Sequence, residues 1–235
     1  LEGDAGADTL LASAGLDTLD GGAGTDTADY SMLGGINFIN VTLNGLLDGT
    51  IIVDGGDNDI VRAIENITAT SGNDTIAGDL FSNILLGMAG DDVIRGGSGG
   101  DVMDGGVGTD TLRFDELTIL GVSLNLQSGT ATHIFNGDID TFSNFENYYT
   151  TLSDDSITGS NASDIVYSLS GDDMFLASAG TDTFDGGLGT DTINYGTLVG
   201  INFIDVTLNE TTGVTVTVDG GDNDTISNIE NVIGT

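Results

Sequence analysis

Residues 87–113 read GMAGDDVIR, GGSGGDVMD, GGVGTDTLR: three nine-residue units in direct succession. Each has Gly at positions 1 and 4, Asp at position 6 and an apolar residue at position 8. That spacing has a physical logic. One apolar side chain per unit is what a short strand needs when it points a single residue into a narrow core. The glycines permit a tight turn with positive φ, which a Cβ obstructs.

The same phase returns in two further blocks. Residues 3–29 hold GDAGADTLL, ASAGLDTLD and GGAGTDTAD, with Asp8, Asp17 and Asp26 at position 6 and Leu10, Leu19 and Ala28 at position 8. In the middle unit Ala12 and Ser13 replace the glycine pair but the carboxylate stays. Residues 69–113 carry Asp74, Asp92, Asp101 and Asp110, with Asn83 standing in for one Asp, and Ile76, Leu85, Ile94, Met103 and Leu112 as the apolar column. Residues 150–194 carry Asp155, Asp164, Asp173, Asp182 and Asp191, nine apart throughout, with Ile157, Val166, Phe175, Phe184 and Ile193. An isolated GxGxD is an ordinary acidic turn; twelve phased Asp, each with a phased apolar partner, are not. A carboxylate beside turn carbonyls offers hard oxygen ligands, the kind that suit Ca²⁺.

These units resemble the glycine-rich nonapeptide G-G-x-G-x-D-x-U-x of the RTX family. The resemblance implies an all-β, right-handed parallel β-roll or β-helix solenoid with calcium-binding turns. Two nonapeptides then make one coil, residues 18 apart stack, and Ca²⁺ ions sit between same-side turns of successive coils. Seven pairs of position-6 residues stand 18 apart: 8/26, 74/92, 83/101, 92/110, 155/173, 164/182 and 173/191, the third weakened by Asn83. The metal ligands so implied are Asp8, Asp17, Asp26, Asp74, Asp92, Asp101, Asp110, Asp155, Asp164, Asp173, Asp182 and Asp191. The resemblance also implies type I export, read from a C-terminal signal.

Longer inserts interrupt the period. INFINVTL and TIIV, between residues 30 and 68, are rich in β-branched residues and read as strands. Residues 114–149 and the stretch from Tyr195 onward form two more inserts, expected as longer coils that continue the same solenoid. A larger repeat overlies the small one: residues 3–70 align without a gap on 168–235, at an offset of 165. The chain therefore reads as three tandem modules, 1–68, 69–149 and 150–235, each a nonapeptide block plus an insert. It stops where the pattern calls for another block, as expected of a fragment of a longer repeat protein.

Composition removes several classes of function. The net charge is −35, with 38 acids against Arg62, Arg95 and Arg113 and no Lys. That excludes nucleic-acid binding through a basic surface and opposes docking on anionic lipid. A disordered acidic tail is the alternative for such a charge; the apolar column and the 38% hydrophobic content count against it, provided a cation neutralises the acids. No Cys is present, so there is neither a disulfide framework nor a thiolate metal site. No run of 18 apolar residues is present to insert in a membrane.

Other residues are candidate sites. Asp57 and Asp59, with Asp222 and Asp224, read as a polar hairpin turn before they read as a second metal site; Asp138 and Asp140 hold the middle copy. Glu65, Glu146 and Glu230 each fall six residues after Asp59, Asp140 and Asp224, and are read either as completing a calcium shell or as solvated. His133, the only histidine, cannot build a zinc cluster and reads as a surface residue on a strand. Arg95 and Arg113, 18 apart, read as stacked on an outer face. Tyr30, Phe38, Tyr195 and Phe203 recur in register and read as core.

No nucleophile–base pair or zinc motif is visible, so the reading is not an enzyme. The expected function is a calcium-dependent structural repeat region of a large secreted bacterial protein, a surface-layer, adhesin or extracellular-filament protein that self-associates into a lattice or filament at the cell surface. The alternative is the carrier and secretion module of a type I-exported protease, lipase or polysaccharide-modifying enzyme.

Overall fold

The computed structural model describes residues 1–45, 47–54, 56, 58–115, 121–198, 203–208, 213–218 and 223–234. Among them the chain forms strands and no helix. It divides into two compact units, Leu1–Arg113 with Ile139–Phe145, and Phe114–Asp138 with Glu146–Thr235.

Positions 7–9 of each nonapeptide are the strand, and positions 1–6 are the turn. Gly and Asp are poor strand formers, so only three residues per unit are left to pair. In Thr75–Ala77, Thr111–Arg113 and Ser156–Thr158 the middle residue is buried and its neighbours are half-buried. Pairing is parallel and steps by 18 residues: Thr9 lies opposite Thr27, Ile76 opposite Ile94, and Phe175 opposite Ile193. One coil is thus two nonapeptides, with its two strands in different sheets.

In the first unit one sheet is wholly parallel: Thr9–Leu11, Thr27–Asp29, Asn66–Thr68, Ile84–Leu86, Val102–Asp104 and Ile139–Ser143. The other shows what the insert does. Ile39–Thr42, Gly49–Val53 and Asn58–Arg62 form an antiparallel meander. Its last strand runs parallel to Thr18–Asp20 and its first parallel to Thr75–Ala77. The insert therefore stays in the sheet, but as a meander with a reversed strand at its centre rather than as a longer coil. In the second unit, Val122–Asn125 pairs antiparallel with Thr130–His133 and parallel with Ser156–Thr158. There too, Asn223–Ser227 follows Thr183–Asp185 in parallel and then pairs antiparallel with Val214–Val218.

The core is a ladder of single side chains. Leu19, Ile76, Ile94 and Leu112 are fully buried in the first unit, and Ile157, Val166, Phe175, Phe184 and Ile193 in the second. Phe175 and Phe184 face each other across the coil, with ring centroids 5.1 Å apart. Tyr30 and Tyr195 are buried as expected, but Phe38 is 40% and Phe203 53% exposed. Strand parity explains the difference for Phe38: it precedes Ile39–Thr42, in which Ile39 and Val41 point inward, so Phe38 falls on the opposite face. His133 is buried rather than on the surface. It shares the inner face of its strand with Ala131 and meets Phe114 edge-on at 6.1 Å.

A core one side chain thick cannot close over a large void. Phe175→Ala is expected to cost about 3–5 kcal/mol in calcium, measured by denaturant unfolding; a loss below about 1 kcal/mol would remove Phe175 from the core.

Candidate metal centre

Position 6 is the last residue of the turn, so its backbone lies where one coil meets the next. Its amide N–H donates to the carboxylate of the equivalent residue one coil later: Asp8 to Asp26 at 2.8 Å, Asp74 to Asp92 at 2.7 Å, Asp92 to Asp110 at 2.8 Å, Asp155 to Asp173 at 2.7 Å, Asp164 to Asp182 at 2.9 Å and Asp173 to Asp191 at 2.8 Å. The same Asp accepts at its own carbonyl from the residue after its partner, as Asp8 does from Thr27 at 2.9 Å. Each step of the solenoid is fastened by this pair of bonds. The price is a stack of buried carboxylates: Asp26, Asp92, Asp110, Asp182 and Asp191 have no exposed surface.

The ladder does not stop at the inserts. Asp17 donates to Asp59 at 2.8 Å, Asp101 to Asp140 at 2.9 Å and Asp182 to Asp224 at 3.0 Å, bridging 42, 39 and 42 residues. Asp26 donates to Glu65 Oε2 at 2.8 Å, and Asp191 to Glu230 Oε2 at 2.7 Å. Asp59, Asp140 and Asp224, all fully buried, are thus steps of the same columns rather than polar turn residues. The signal was present in the sequence: Asp59-Ile60-Val61, Asp140-Thr141-Phe142, Asp224-Thr225-Ile226 and Glu65-Asn66-Ile67 repeat the acid-x-apolar core of the nonapeptide without its glycines. Asp57 and Asp222 lie outside the described residues.

The second carboxylate oxygen decides the chemistry. In Asp8, Asp26, Asp92 and Asp191, Oδ2 is buried with no hydrogen-bond donor. It lies against the glycine at position 1 of its own turn: a Cβ added to Gly3 would sit 2.9 Å from Asp8 Oδ2, and one added to Gly21 would sit 2.6 Å from Asp26 Oδ2. The carbonyl of the next coil's position 1 converges on the same place. The Cβ at Gly3 would also meet the Gly21 oxygen at 2.6 Å, and one at Gly87 the Gly105 oxygen at 2.5 Å. The result is a cradle of oxygens whose only formal charges are negative, and which any larger residue would fill.

Carboxylates in such a place resist ionisation. Burial, with the charges of Asp74, Asp110 and Asp91 behind it, pushes Asp92 up to about 7. Burial also raises Asp173 and Asp182 to about 7 and Asp191 to about 6, although hydrogen bonds lower each in part, from the Ser168 hydroxyl and then the Asp155 amide at Asp173 and from a backbone N–H at the other two. Two charges about 5 Å apart repel by about 3 kcal/mol at an effective dielectric of about 20. A proton or a cation must relieve them, and the chain has only three arginines. Arg62 is engaged at the surface with Asp48 at 2.7 Å and Asp20 at 3.5 Å.

The donor set fits Ca²⁺, which accepts carboxylate and backbone carbonyl oxygens alike. Among the described residues no three acidic or histidine side chains gather at one point. A shell here would therefore draw much of its oxygen from turn carbonyls. The Asp carboxylates and position-1 carbonyls would hold the ion, and the ion would supply the positive charge between coils that the side chains lack.

Comparison with known families agrees with this arrangement. A family model described as the RTX calcium-binding nonapeptide repeat matches residues 1–29, 62–80, 78–112, 145–175 and 167–197, more than half of the chain. The chain belongs to the RTX family. Comparison with curated proteins gives no match. RTX repeats bind calcium and belong to repeat regions of secreted proteins, and the segments outside the RTX matches fall largely on the three inserts. No helix among the described residues is long and apolar enough to cross a membrane.

In two of the inserts a tyrosine supplies the donor that the second carboxylate oxygen lacks in the open turns. The Tyr30 hydroxyl donates to Asp59 Oδ2 at 2.8 Å, and Tyr195 to Asp224 Oδ2 at 2.8 Å, both buried. Burial first, and then the neighbouring carboxylate, hold both phenols well above the ordinary tyrosine range, so the hydroxyls remain donors. Tyr195→Phe is expected to cost about 1.5–3 kcal/mol, as loss of a hydrogen bond to a charged group does, read by denaturant unfolding in calcium.

The raised carboxylates also set a pH dependence. Asp92, Asp173 and Asp182 titrate near 7 when folded and Asp191 near 6, against 3.8 for an ordinary Asp. The folded chain therefore holds more protons than the unfolded chain between about pH 4 and pH 7, and stability falls as pH rises through that window. In chelator, circular dichroism at pH 5.5 should report more β structure than at pH 8. Equal signals at the two pH values would refute this dependence.

Proposed function

We propose that this chain is a calcium-dependent structural array in a large secreted bacterial protein, serving as part of a surface layer, adhesin or extracellular filament rather than as a catalyst. The observation that carries this reading is the stack of buried carboxylates in which the second oxygens of Asp8, Asp26, Asp92 and Asp191 have no donor. Such a column is a cost in a metal-free chain and a binding site in millimolar calcium. The aspartate columns named from the nonapeptide phase, with turn carbonyls, are the proposed ligands.

The inserts favour a structural array over a secretion module attached to an enzyme. They are spliced into the sheets and carry the acid ladder onward through Asp59, Asp140 and Asp224, so the solenoid is extended rather than ended. Three tandem modules, at 1–68, 69–149 and 150–235, suit a repeated building element, and neighbouring copies associating into a lattice or filament would suit its role at the cell surface.

Calcium then acts as the folding switch. Extracellular calcium modules bind at about 10⁻⁴–10⁻³ M, and each site at tenfold excess over its Kd adds about 1.4 kcal/mol to the folded state. Several such sites amount to a large share of a domain's total stability of about 5–15 kcal/mol. The nonapeptide blocks should be largely unfolded at pH 7.5 and the low calcium of a cytosol, and should fold in an outside medium. Circular dichroism during a calcium titration after chelation tests this. A β signal that persists unchanged in excess chelator would end the switch.

A further inference from the structure

The twelve phased aspartates are not alike, and the residue four positions before each one sorts them. Before Asp8, Asp26, Asp92, Asp101, Asp110, Asp173 and Asp191 stand Asp4, Gly22, Met88, Gly97, Gly106, Leu169 and Gly187. All seven are left-handed, with φ between 66° and 101°. Before Asp17, Asp74, Asp155, Asp164 and Asp182 stand Ser13, Thr70, Thr151, Ser160 and Ser178, none of them left-handed.

In that second group the protein itself fills the carboxylate. Asp17 Oδ2 accepts from the Ser13 hydroxyl at 2.7 Å, and Asp74 Oδ2 accepts from the Thr70 amide at 2.8 Å and its hydroxyl at 2.9 Å. Thr151 gives its amide to Asp155 Oδ2 and its hydroxyl to Oδ1, both at 2.9 Å. Ser160 does the same to Asp164 at 2.7 and 2.9 Å, and the Ser178 hydroxyl reaches Asp182 Oδ2 at 3.2 Å. At four of these turns position 1 is Ala12, Ala69, Thr150 or Ala177, so a Cβ stands where six of the seven open turns have glycine; the seventh, that of Asp173, has Ser168, whose hydroxyl donates to the Gly186 carbonyl at 2.8 Å.

An ion between coils needs two open turns in succession on one side. Only 8/26, 92/110 and 173/191 meet that condition. The same three pairs have a direct main-chain bridge between turns: Ala5 with Ala23, Ala89 with Val107 and Ser170 with Leu188. Each pair also contains a fully buried Asp whose Oδ2 lacks a donor: Asp26, Asp92 and Asp191. Asp101 has an open turn, but Asn83 precedes it and the insert residue Asp140 follows. On the opposite side of the coil from 173/191, every acid has a hydroxyl: Asp164 has Ser160, Asp182 has Ser178 and Asp224 has Tyr195.

We propose that calcium is confined to the turn pairs 8/26, 92/110 and 173/191, one pair in each nonapeptide block, and that the Ser/Thr turns and the Asp164–Asp182–Asp224 column are fastened by hydroxyls and take no metal. This rests on the proposed calcium dependence and narrows it from all aligned turns to these three. The rule has two parts: a left-handed residue four before the Asp leaves the turn open, and an ion needs two open turns stacked, whereas Ser or Thr at that position replaces the metal.

Isothermal titration calorimetry with calcium on the full chain, checked by equilibrium dialysis, tests the assignment. The unaltered chain should take three tight ions. Asp92→Asn and Asp173→Asn should each take two, the amide keeping an acceptor for the inter-coil bond while removing the charge. Asp164→Asn should still take three. Any other tight count in the unaltered chain, or loss of an ion from Asp164→Asn, would overturn this assignment and leave the calcium dependence of the array standing. No tight ion at all would overturn both.

Discussion

One interaction governs the rest of this protein: the amide of each position-6 residue donating to the carboxylate one coil later. It sets the 18-residue step, because only that step brings equivalent turns into contact. It also forces carboxylates into a stack at the spacing of adjacent strands, where repulsion and lost hydration act against the fold. Where position 1 is glycine, the carboxylate and the next coil's carbonyl occupy the space a Cβ would take, as at Gly21 between Asp26 and Ala63. The excess of acids over arginines leaves that stack to be relieved by something other than side-chain cations.

The chain meets this demand in three ways. Open turns leave an oxygen cradle, Ser/Thr turns bring a hydroxyl from within the turn, and two of the inserts bring a tyrosine hydroxyl. The last explains how the inserts interrupt a sequence period without interrupting the solenoid. A pairing step of 39 or 42 residues returns an acid-x-apolar triplet to the same column, with Glu65, Asp59 or Asp224 continuing what Asp26, Asp17 or Asp182 began. The antiparallel meander between them adds sheet and core but leaves the column in phase.

A thin core and a charged ladder together leave the fold sensitive to the charge state of its carboxylates. Each coil buries one apolar side chain per strand, which is modest stabilisation against the entropy of ordering Gly-rich turns. The balance then turns on whether the carboxylates are neutralised, by protons at acidic pH or by calcium outside. The hydroxyl-fastened turns relieve part of the ladder from within the chain.

The period, the apolar column and the acid column were legible in the residues alone, because a nine-residue repeat with a single apolar position permits little besides a short-strand solenoid. The strand-like inserts were legible too, from their β-branched alternation. What the tertiary structure decided is where partners come from across the coil. Strand parity turned Phe38 outward, and His133 was carried inward on the inner face of its strand. Asp59 and Asp224, which look like turn residues in sequence, became buried steps of the ladder because strands returning from the inserts place them beside Asp17 and Asp182. The division of the aspartates had a local trace in Ser13, Thr70, Thr151, Ser160 and Ser178, but its meaning depended on geometry. Whether a carboxylate oxygen has a donor is settled by the backbone angle of a turn and by the coil stacked on it, and neither is written in the nine-residue pattern.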